Sequence, residues 1–408
     1  MNTQPTKAKK RIELLDVYRG FAILGIFVVN ITVMNSTYLN QDQFLQGFTD
    51  DIDILSQKIL QLFFYTKFFP IFSLLFGLGI SMQALKLYQN DQLSFAFFGR
   101  RMFFLFLIGA AHILFLWSGD VVHLYAIIGL FTSLLIMKSD RLILSLAVVF
   151  LVFPFYDQLL EALFNLTGFA PYSYLGDHTG ETVNQVIKNG SYLQGMQLRV
   201  QEYLANTPML FGFLAPVAVS MFLLGLYLGK NRIYESLDTF IDTIKKPAIS
   251  IAVITNLYRI IFLFILPDFD IYRDETLRPV FIKLMVLSDI AMGLFYLWVI
   301  GWLWHYTKAQ KILRVLQYPG RMALTNYIMQ SVVGLILFSS VGFSMYETLS
   351  PSAALATAVT VFLFQIGFSK LWLRFFKYGP LEWIWRCFTY KRMLPIAKDR
   401  HAAEIVSS

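Results

Sequence analysis

Apolar positions along this chain come in long unbroken runs, without the alternating or one-faced patterns of a water-soluble fold. Runs long enough to cross a bilayer fall at 17–36, 58–86, 101–118, 120–137, 141–165, 204–229, 247–266, 279–305, 322–341 and 353–376. A span needs about 20 apolar residues, and in lipid only a helix satisfies its own backbone within one segment. The pattern predicts an all-α integral membrane protein of about ten transmembrane helices, forming a single polytopic membrane domain over 1–408. The second run is long enough to tilt or to extend past the bilayer, and Pro70 is its expected kink point. The segment of about 166–203 is polar and holds Phe169, Tyr172, Tyr174 and Tyr192, which fits either a small lid or a plain connecting loop. In the tail of about 377–408, Gly379-Pro380 opens a stretch with Glu382 and Arg386 four apart. That spacing predicts a short helix, and Trp383 and Trp385 beside Arg and Lys suit a membrane interface.

Charge sets the orientation. With the N-terminus inside, the inner segments collect most of the Lys and Arg, from Lys7, Lys9, Lys10 and Arg11 to the basic tail. The outer segments keep only Lys58, Lys188, Arg199, Arg273 and Arg278. Positive loops stay inside, so both termini are expected in the cytoplasm. Composition agrees: 57% of residues are hydrophobic and 15% are charged, against about 25% charged in a soluble domain. The net charge of +8 follows from loop sidedness and does not indicate nucleic acid, since no basic stripe with interleaved aromatics stands on a soluble module. The single cysteine, Cys387, excludes an intramolecular disulfide and a CxxC metal site, and no metal is expected. No cleavage site follows the first apolar run, which reads as a retained helix.

Ionisable groups at membrane depth are costly and mark function or helix pairing. On the first helix Asp16 and Arg19 share a face, and Asn30, three turns further on, points the same way. They read as a ligand-facing stripe, or as an ion pair plus an interhelical hydrogen bond. Further along, His112 stands slightly past mid-depth, behind Gly109-Ala110-Ala111, where another helix can approach closely. Ser118-Gly119-Asp120 makes a tight turn, after which Asp120 and His123 share a face. A His oriented by a carboxylate is the usual arrangement for general-base work; the alternative is a structural buried His. Elsewhere Lys67, Arg259, Lys283 and Asp289 lie in the second, seventh and eighth runs, and Arg259 with Asp289 reads as a pair tying neighbouring helices or as part of an outward-facing cavity. Arg19, Arg100, Arg101, Lys308 and Arg321 form a basic inner mouth suited to an anionic ligand. No P-loop, GxGxxG or HExxH pattern is present, and Gly77 with Gly79 reads as a helix-packing site.

The stretch Leu15-Asp16-Val17-Tyr18-Arg19-Gly20-Phe21 through Asn30 resembles the opening of the YeiB-like bacterial membrane proteins, domain of unknown function 418. Phe68 to Gly79, His112 to Tyr125, Gly320 to Tyr327 and Tyr378 to Tyr390 resemble further stretches of that family, in order along the chain. The first-helix motif is similar to those of the acyltransferase-three group and of the lysosomal heparan-glucosaminide acetyltransferases. The resemblance implies transfer of an acyl group from cytosolic acyl-CoA to a glycan or other acceptor beyond a bacterial cytoplasmic membrane. The acyltransferase-three motif ends in a His where this chain has Asn30, and the loop of about 37–57 has no His, so the resemblance leaves His112 as the catalytic candidate.

The expected enzyme thus has His112 as general base or acyl carrier and Asp120 orienting it. Asp16, Arg19, Arg101 and Arg321 hold the acyl-CoA donor, while Asn30, His123, Arg259, Asp289 and Lys67 face the acceptor. Within that set, Asn30 or Arg259 is the expected oxyanion stabiliser. Membrane lipids are expected partners, and small residues and aromatics make a homodimer easy to accommodate. The competing readings are a transporter for a small or lipidic solute, with the same charges along its path, and a non-catalytic envelope scaffold.

Overall fold

The computed structural model describes residues 12–37, 40–176 and 178–398. The basic stretch from Lys7 to Arg11, and Arg400, lie outside the described residues. The principal helices in chain order are α1 (Glu13–Asn35), α2 (Asp51–Ile59), α3 (Phe68–Gln89), α4 (Phe95–Phe115), α5 (Val122–Leu134), α6 (Asp140–Val152), α7 (Tyr156–Thr167) and α8 (Gly180–Asn189). They continue as α9 (Tyr192–Ala205), α10 (Ala215–Lys230), α11 (Lys245–Phe264), α12 (Arg278–Tyr306), α13 (Gln317–Arg321), α14 (Ala323–Phe338), α15 (Pro351–Phe375) and α16 (Pro380–Tyr390). Among the described residues there is no strand, only an isolated bridge between Phe376 and Ala397.

By length and composition, seven helices of the described chain can cross a membrane, or up to nine if each of two bent pairs makes one span; α5 is a shorter apolar helix. Their outer faces are apolar, as lipid requires: Val253, Ile254 and Leu257 of α11 and Leu363 and Phe364 of α15 are all exposed. The centre is built where glycine lets backbones touch. Gly77 of α3 faces the Phe222 backbone of α10, and Gly225 of α10 faces the Leu74 carbonyl of α3, so Gly77 is the packing site its sequence context predicted.

Two apolar runs are not the straight spans that their length predicted, and a third follows a bend. The second breaks between Tyr65 and Lys67, after a π-helical turn at Leu60–Phe64 and with Thr66 at φ 63°. Pro70 causes no kink, because it lies in the first turn of α3, where its missing N–H is not needed. The run 141–165 bends by 84° between α6 and α7, at Pro154, which disfavours helix in the residue before it. The run 322–341 starts at a 79° bend between the helical stretch ending at Arg321 and α14.

The segment 166–203 is mostly helical and is bonded to the ends of α4 and α14. Ser340 N–H donates to the Ile187 carbonyl at 2.8 Å and Tyr192 OH to the Phe115 carbonyl at 2.7 Å. The tail helix forms where predicted, with Pro380 at its start. Its two tryptophans differ in setting: Trp385 is buried against α4, while Trp383 is half-buried. Glu382 does not pair with Arg386. Its Oε1 accepts from the N–H groups of Leu324 (2.7 Å) and Thr325 (3.1 Å) and its Oε2 from Thr325 Oγ1 (2.6 Å). It thereby satisfies the first N–H groups of α14, which lack partners inside the helix.

Candidate functional site

Helix α4 fixes the scale. Its first turns meet α16 and its last meet α9, and 21 residues at about 1.5 Å each separate the two ends by about 31 Å. A cavity of about 1460 Å³ opens at the α16 end. That exceeds the roughly 300–1,000 Å³ of an ordinary small-molecule pocket. Its walls mix apolar side chains such as Ile23, Ile26, Phe72 and Leu75 with Arg19, Arg101, Arg321, Arg374, Lys377, Arg386, Arg392 and Lys398.

Glycines again place these charges. Gly20 of α1 lies against the Leu316 carbonyl, and Gly320 of α13 lies against the Asp16 carbonyl and Gly20 nitrogen. The two backbones touch, so their next-door residues Arg19 and Arg321 reach one cavity. Asp16 Oδ1 accepts from Arg19 at 3.0 Å, as the helical spacing predicted. The Arg101 guanidinium lies 3.6 Å from the centroid of the Trp385 ring, whose Nε1 donates to the Arg101 carbonyl at 2.7 Å. Arg101 Nε makes no hydrogen bond with the described residues. Arg100 and Lys308, expected at the same mouth, are not part of the lining.

The deep end of the cavity reaches Val121, Val122, Tyr125 and Tyr327. The Tyr327 ring packs on the His112 ring, with centroids 5.3 Å apart. Asp120 organises both histidines. His112 Nδ1 donates to Oδ1 at 2.9 Å, while the His123 backbone N–H and Nδ1 both donate to Oδ2 at 2.8 Å. A carboxylate accepts only, so each imidazole carries its proton on Nδ1. His123 Nε2 then accepts from Tyr203 OH of α9 at 2.9 Å. His112 Nε2 is buried with no hydrogen-bond partner among the described residues, which leaves its lone pair for a reacting group. Gly109 makes this possible: a Cβ there would stand 2.8 Å from Asp120 Oδ2 and meet the His123 backbone.

A second, smaller pocket of about 80 Å³ lies at the α9 end, lined by Trp117, Tyr192, Arg199, Glu202 and Ser331 among others. Ser331 follows Tyr327 by one turn of α14, so about 6 Å of helix separates a residue of the large cavity from one of the small pocket. Burial pushes the Glu202 carboxyl up to about 7, with Ser118 Oγ donating to it at 2.8 Å and the Arg199 charge opposing the rise.

Lys67, Arg259 and Asp289 form a separate group. Asp289 Oδ1 accepts from Lys67 Nζ at 2.8 Å and stands 2.8 Å from Arg259 Nε as an ion pair, and Thr66 Oγ1 donates to Oδ2. The π-helical turn supplies the rest: Arg259 also donates to the Leu62 carbonyl, and Lys67 Nζ donates to the Tyr65 carbonyl at 2.6 Å. The predicted Arg259–Asp289 pair is therefore present, joined by Lys67. None of the three lines the large cavity, and Asn30, half-buried on α1, does not line it either. The structure brings Asp16, Arg19, Arg101 and Arg321 together, and His112 with Asp120 and His123; it keeps the Asp289 group apart from both.

The residues that sequence reasoning missed are Tyr327, Tyr203, Arg199, Glu202 and the cavity charges of the tail. Arg374, Lys377 and Arg386 look like topology signals, and a polar segment such as 192–205 gives no sign that its Arg199 and Tyr203 turn inward. The one available signal was the Gly320–Tyr327 stretch, where Arg321 and Tyr327 are six residues apart and mark both ends of the cavity.

Residues 228–392 match the family described as "Protein of unknown function (DUF418)". Nearly the whole chain is similar to three bacterial proteins. The "Uncharacterized protein YxaH" of Bacillus subtilis (strain 168) is 29% identical over 97% of this chain and 98% of its own length. An "Uncharacterized 39.9 kDa protein in amylase 3'region" of Bacillus acidopullulyticus is 27% identical over 98% and 99%. The "Uncharacterized protein YeiB" of Escherichia coli (strain K12) is 27% identical over 93% and 97%. No solved structure matches.

Proposed function

The chain belongs to the YeiB-like (DUF418) family, and from that premise we propose that it is a transmembrane acyltransferase of a bacterial cytoplasmic membrane. In this reading the chain crosses ten times, counting each bent pair and α5 as one passage, with both termini in the cytoplasm. The large cavity then opens inward and takes acyl-CoA. The observation that carries the proposal is the continuity of that cavity from an arginine-rich mouth to Tyr327, whose ring packs on His112.

Phosphates suit guanidinium forks, and Arg19, Arg101, Arg321 and Arg386 line the cavity. The apolar walls take the pantetheine and acyl parts. With Tyr327 turned aside, His112 Nε2 accepts the proton of an acceptor O–H or N–H. The freed lone pair attacks the thioester carbonyl carbon, forming the new acyl bond. The C–S bond breaks, and the proton passes to the departing thiolate, which leaves as coenzyme A. Asp120 holds the imidazole in the required tautomer and steadies its cationic form. His123 and Tyr203 hold Asp120 from the far side.

The transporter reading has less support, because Lys67, Arg259 and Asp289 are engaged with one another and line no part of the cavity. The test is thermal stability of the purified protein in detergent with acetyl-CoA and longer acyl-CoAs. A ligand at 100 times its Kd stabilises by about 2.7 kcal/mol, and Arg19→Ala is expected to remove the shift. No shift with any acyl-CoA at saturating concentration overturns the proposal. His112→Ala is expected to keep the shift and lose acyl transfer.

A further inference from the structure

The small pocket beneath α9 holds three buried polar atoms that have no hydrogen-bond partner among the described residues: an Arg199 terminal nitrogen (NH2), Glu202 Oε1 and Ser331 Oγ. They come from two helices, α9 and α14, and Arg199 and Ser331 are 8% and 1% exposed. Their other contacts are already made. Arg199 Nε donates to the Leu114 carbonyl at 3.1 Å, and Ser118 Oγ donates to Glu202 Oε2 at 2.8 Å. Arg199 and Glu202 are thus each held in place while one polar atom of each is left over. Buried polar groups are nearly always hydrogen-bonded, so three unpaired atoms around one space mark a place for a ligand.

The donor and acceptor pattern selects its chemistry. An ammonium meets the Arg199 charge, and an anion meets Glu202 once its carboxyl ionises, each then facing a like charge. A hydrocarbon leaves all three atoms unpaired. An uncharged alcohol accepts from Arg199, donates to Glu202 and exchanges a hydrogen bond with Ser331. The volume of about 80 Å³ corresponds to two or three waters at roughly 30 Å³ each, which fits a hydroxymethyl group or one hydroxylated edge of a ring. The Trp117 and Tyr192 rings are part of the same lining and offer apolar faces to the carbon skeleton.

We infer that this pocket binds a hydroxyl-bearing, uncharged group, and that it is the acceptor side of the transfer described above; the second half of this inference rests on the acyltransferase reading, the first half does not. Ser331 of this pocket stands one turn of α14 from Tyr327 of the large cavity, and Tyr203, which donates to His123, follows Glu202 on α9.

The experiment is ligand-observed saturation-transfer NMR on the full chain in detergent, with methyl β-glucoside, glucuronate and glucosamine as probes, and an acetyl-CoA thermal shift on the same samples. The neutral glucoside is expected to give the strongest transfer, lost in Arg199→Gln and in Ser331→Ala, while the acetyl-CoA shift persists in both variants. Should Arg199→Gln fail to fold, Ser331→Ala alone supplies the readout, since it removes only a hydroxyl. Equal transfer to all three probes, or transfer that survives the substitutions, overturns the alcohol site. Glucoside binding that depends on Arg199, without any acyl-CoA shift, upholds the site and overturns the donor reading instead.

Discussion

Replacing Asp289 by Asn tests the strongest electrostatic claim. Lys67, Arg259 and Asp289 are 0%, 1% and 4% exposed, and the carboxylate is the only anion bonded to the two cations among the described residues. Removing it leaves two buried cations with backbone carbonyls and the Asn256 amide oxygen as partners. Breaking a buried pair by deleting one partner costs about 3–5 kcal/mol. Lys67→Met leaves Arg259 and Asp289 as a neutral pair and is expected to cost less. In the double variant Arg259 is again the sole cation, so its loss is expected to fall short of the sum of the two single losses by about 1–3 kcal/mol. Equilibrium unfolding in mixed micelles reads all four proteins. A loss below about 1 kcal/mol for Asp289→Asn, as at an exposed pair, or strict additivity in the double variant, refutes the argument.

Gly109→Ala places a methyl group against Asp120 Oδ2 and the His123 backbone; a shift of about 1 Å there is expected to lower acyl transfer about 10²-fold while acyl-CoA binding persists, which a transfer assay beside a thermal shift will show. Glu382→Gln weakens the acceptor for two N–H groups and a hydroxyl at the start of α14 and is expected to cost about 1–3 kcal/mol, visible as a lower unfolding midpoint. Burial raises the Glu202 carboxyl from 4.5 to about 7. The unfolded chain therefore loses this proton near pH 4.5 while the folded chain keeps it to about 7, so this group's contribution to stability falls as pH rises across that window. Scans of Tm between pH 5 and 8 are expected to show this slope in the parent and a flatter profile in Glu202→Gln; identical slopes count against it.

The sequence announced what depends on local spacing. Asp16 with Arg19, Asp120 with His123, the Gly77 contact and the tail helix at Pro380 all follow from positions three or four apart or from one residue's shape. It did not announce what depends on how distant helices stack. Whether Trp385 lies in an interface or under the Arg101 guanidinium is decided by the packing of α16 on α4, more than 280 residues earlier in the chain. The breaks at Tyr65–Lys67 and Pro154 were hidden because hydropathy measures solvent preference, and a bent helix is as apolar as a straight one. Asn30 shares a helix face with Arg19, yet the cavity lining on α1 ends near Ile26, since a face four turns long meets different neighbours at each end.

The large cavity draws its walls from both extremities of the chain: Asp16 and Arg19 on α1, and Arg374 to Lys398 around α16. In a cell those parts are not made together. At about 5–20 residues per second, the ribosome delivers α16 roughly 20–70 s after α1. During that interval the first helix, already in the bilayer, holds its charges without the partners that enclose them in the finished protein. The cavity is therefore complete only after α16 has been made. A chain released before Pro380 would lack one of its walls, so the enclosure of this space waits on the synthesis of α16.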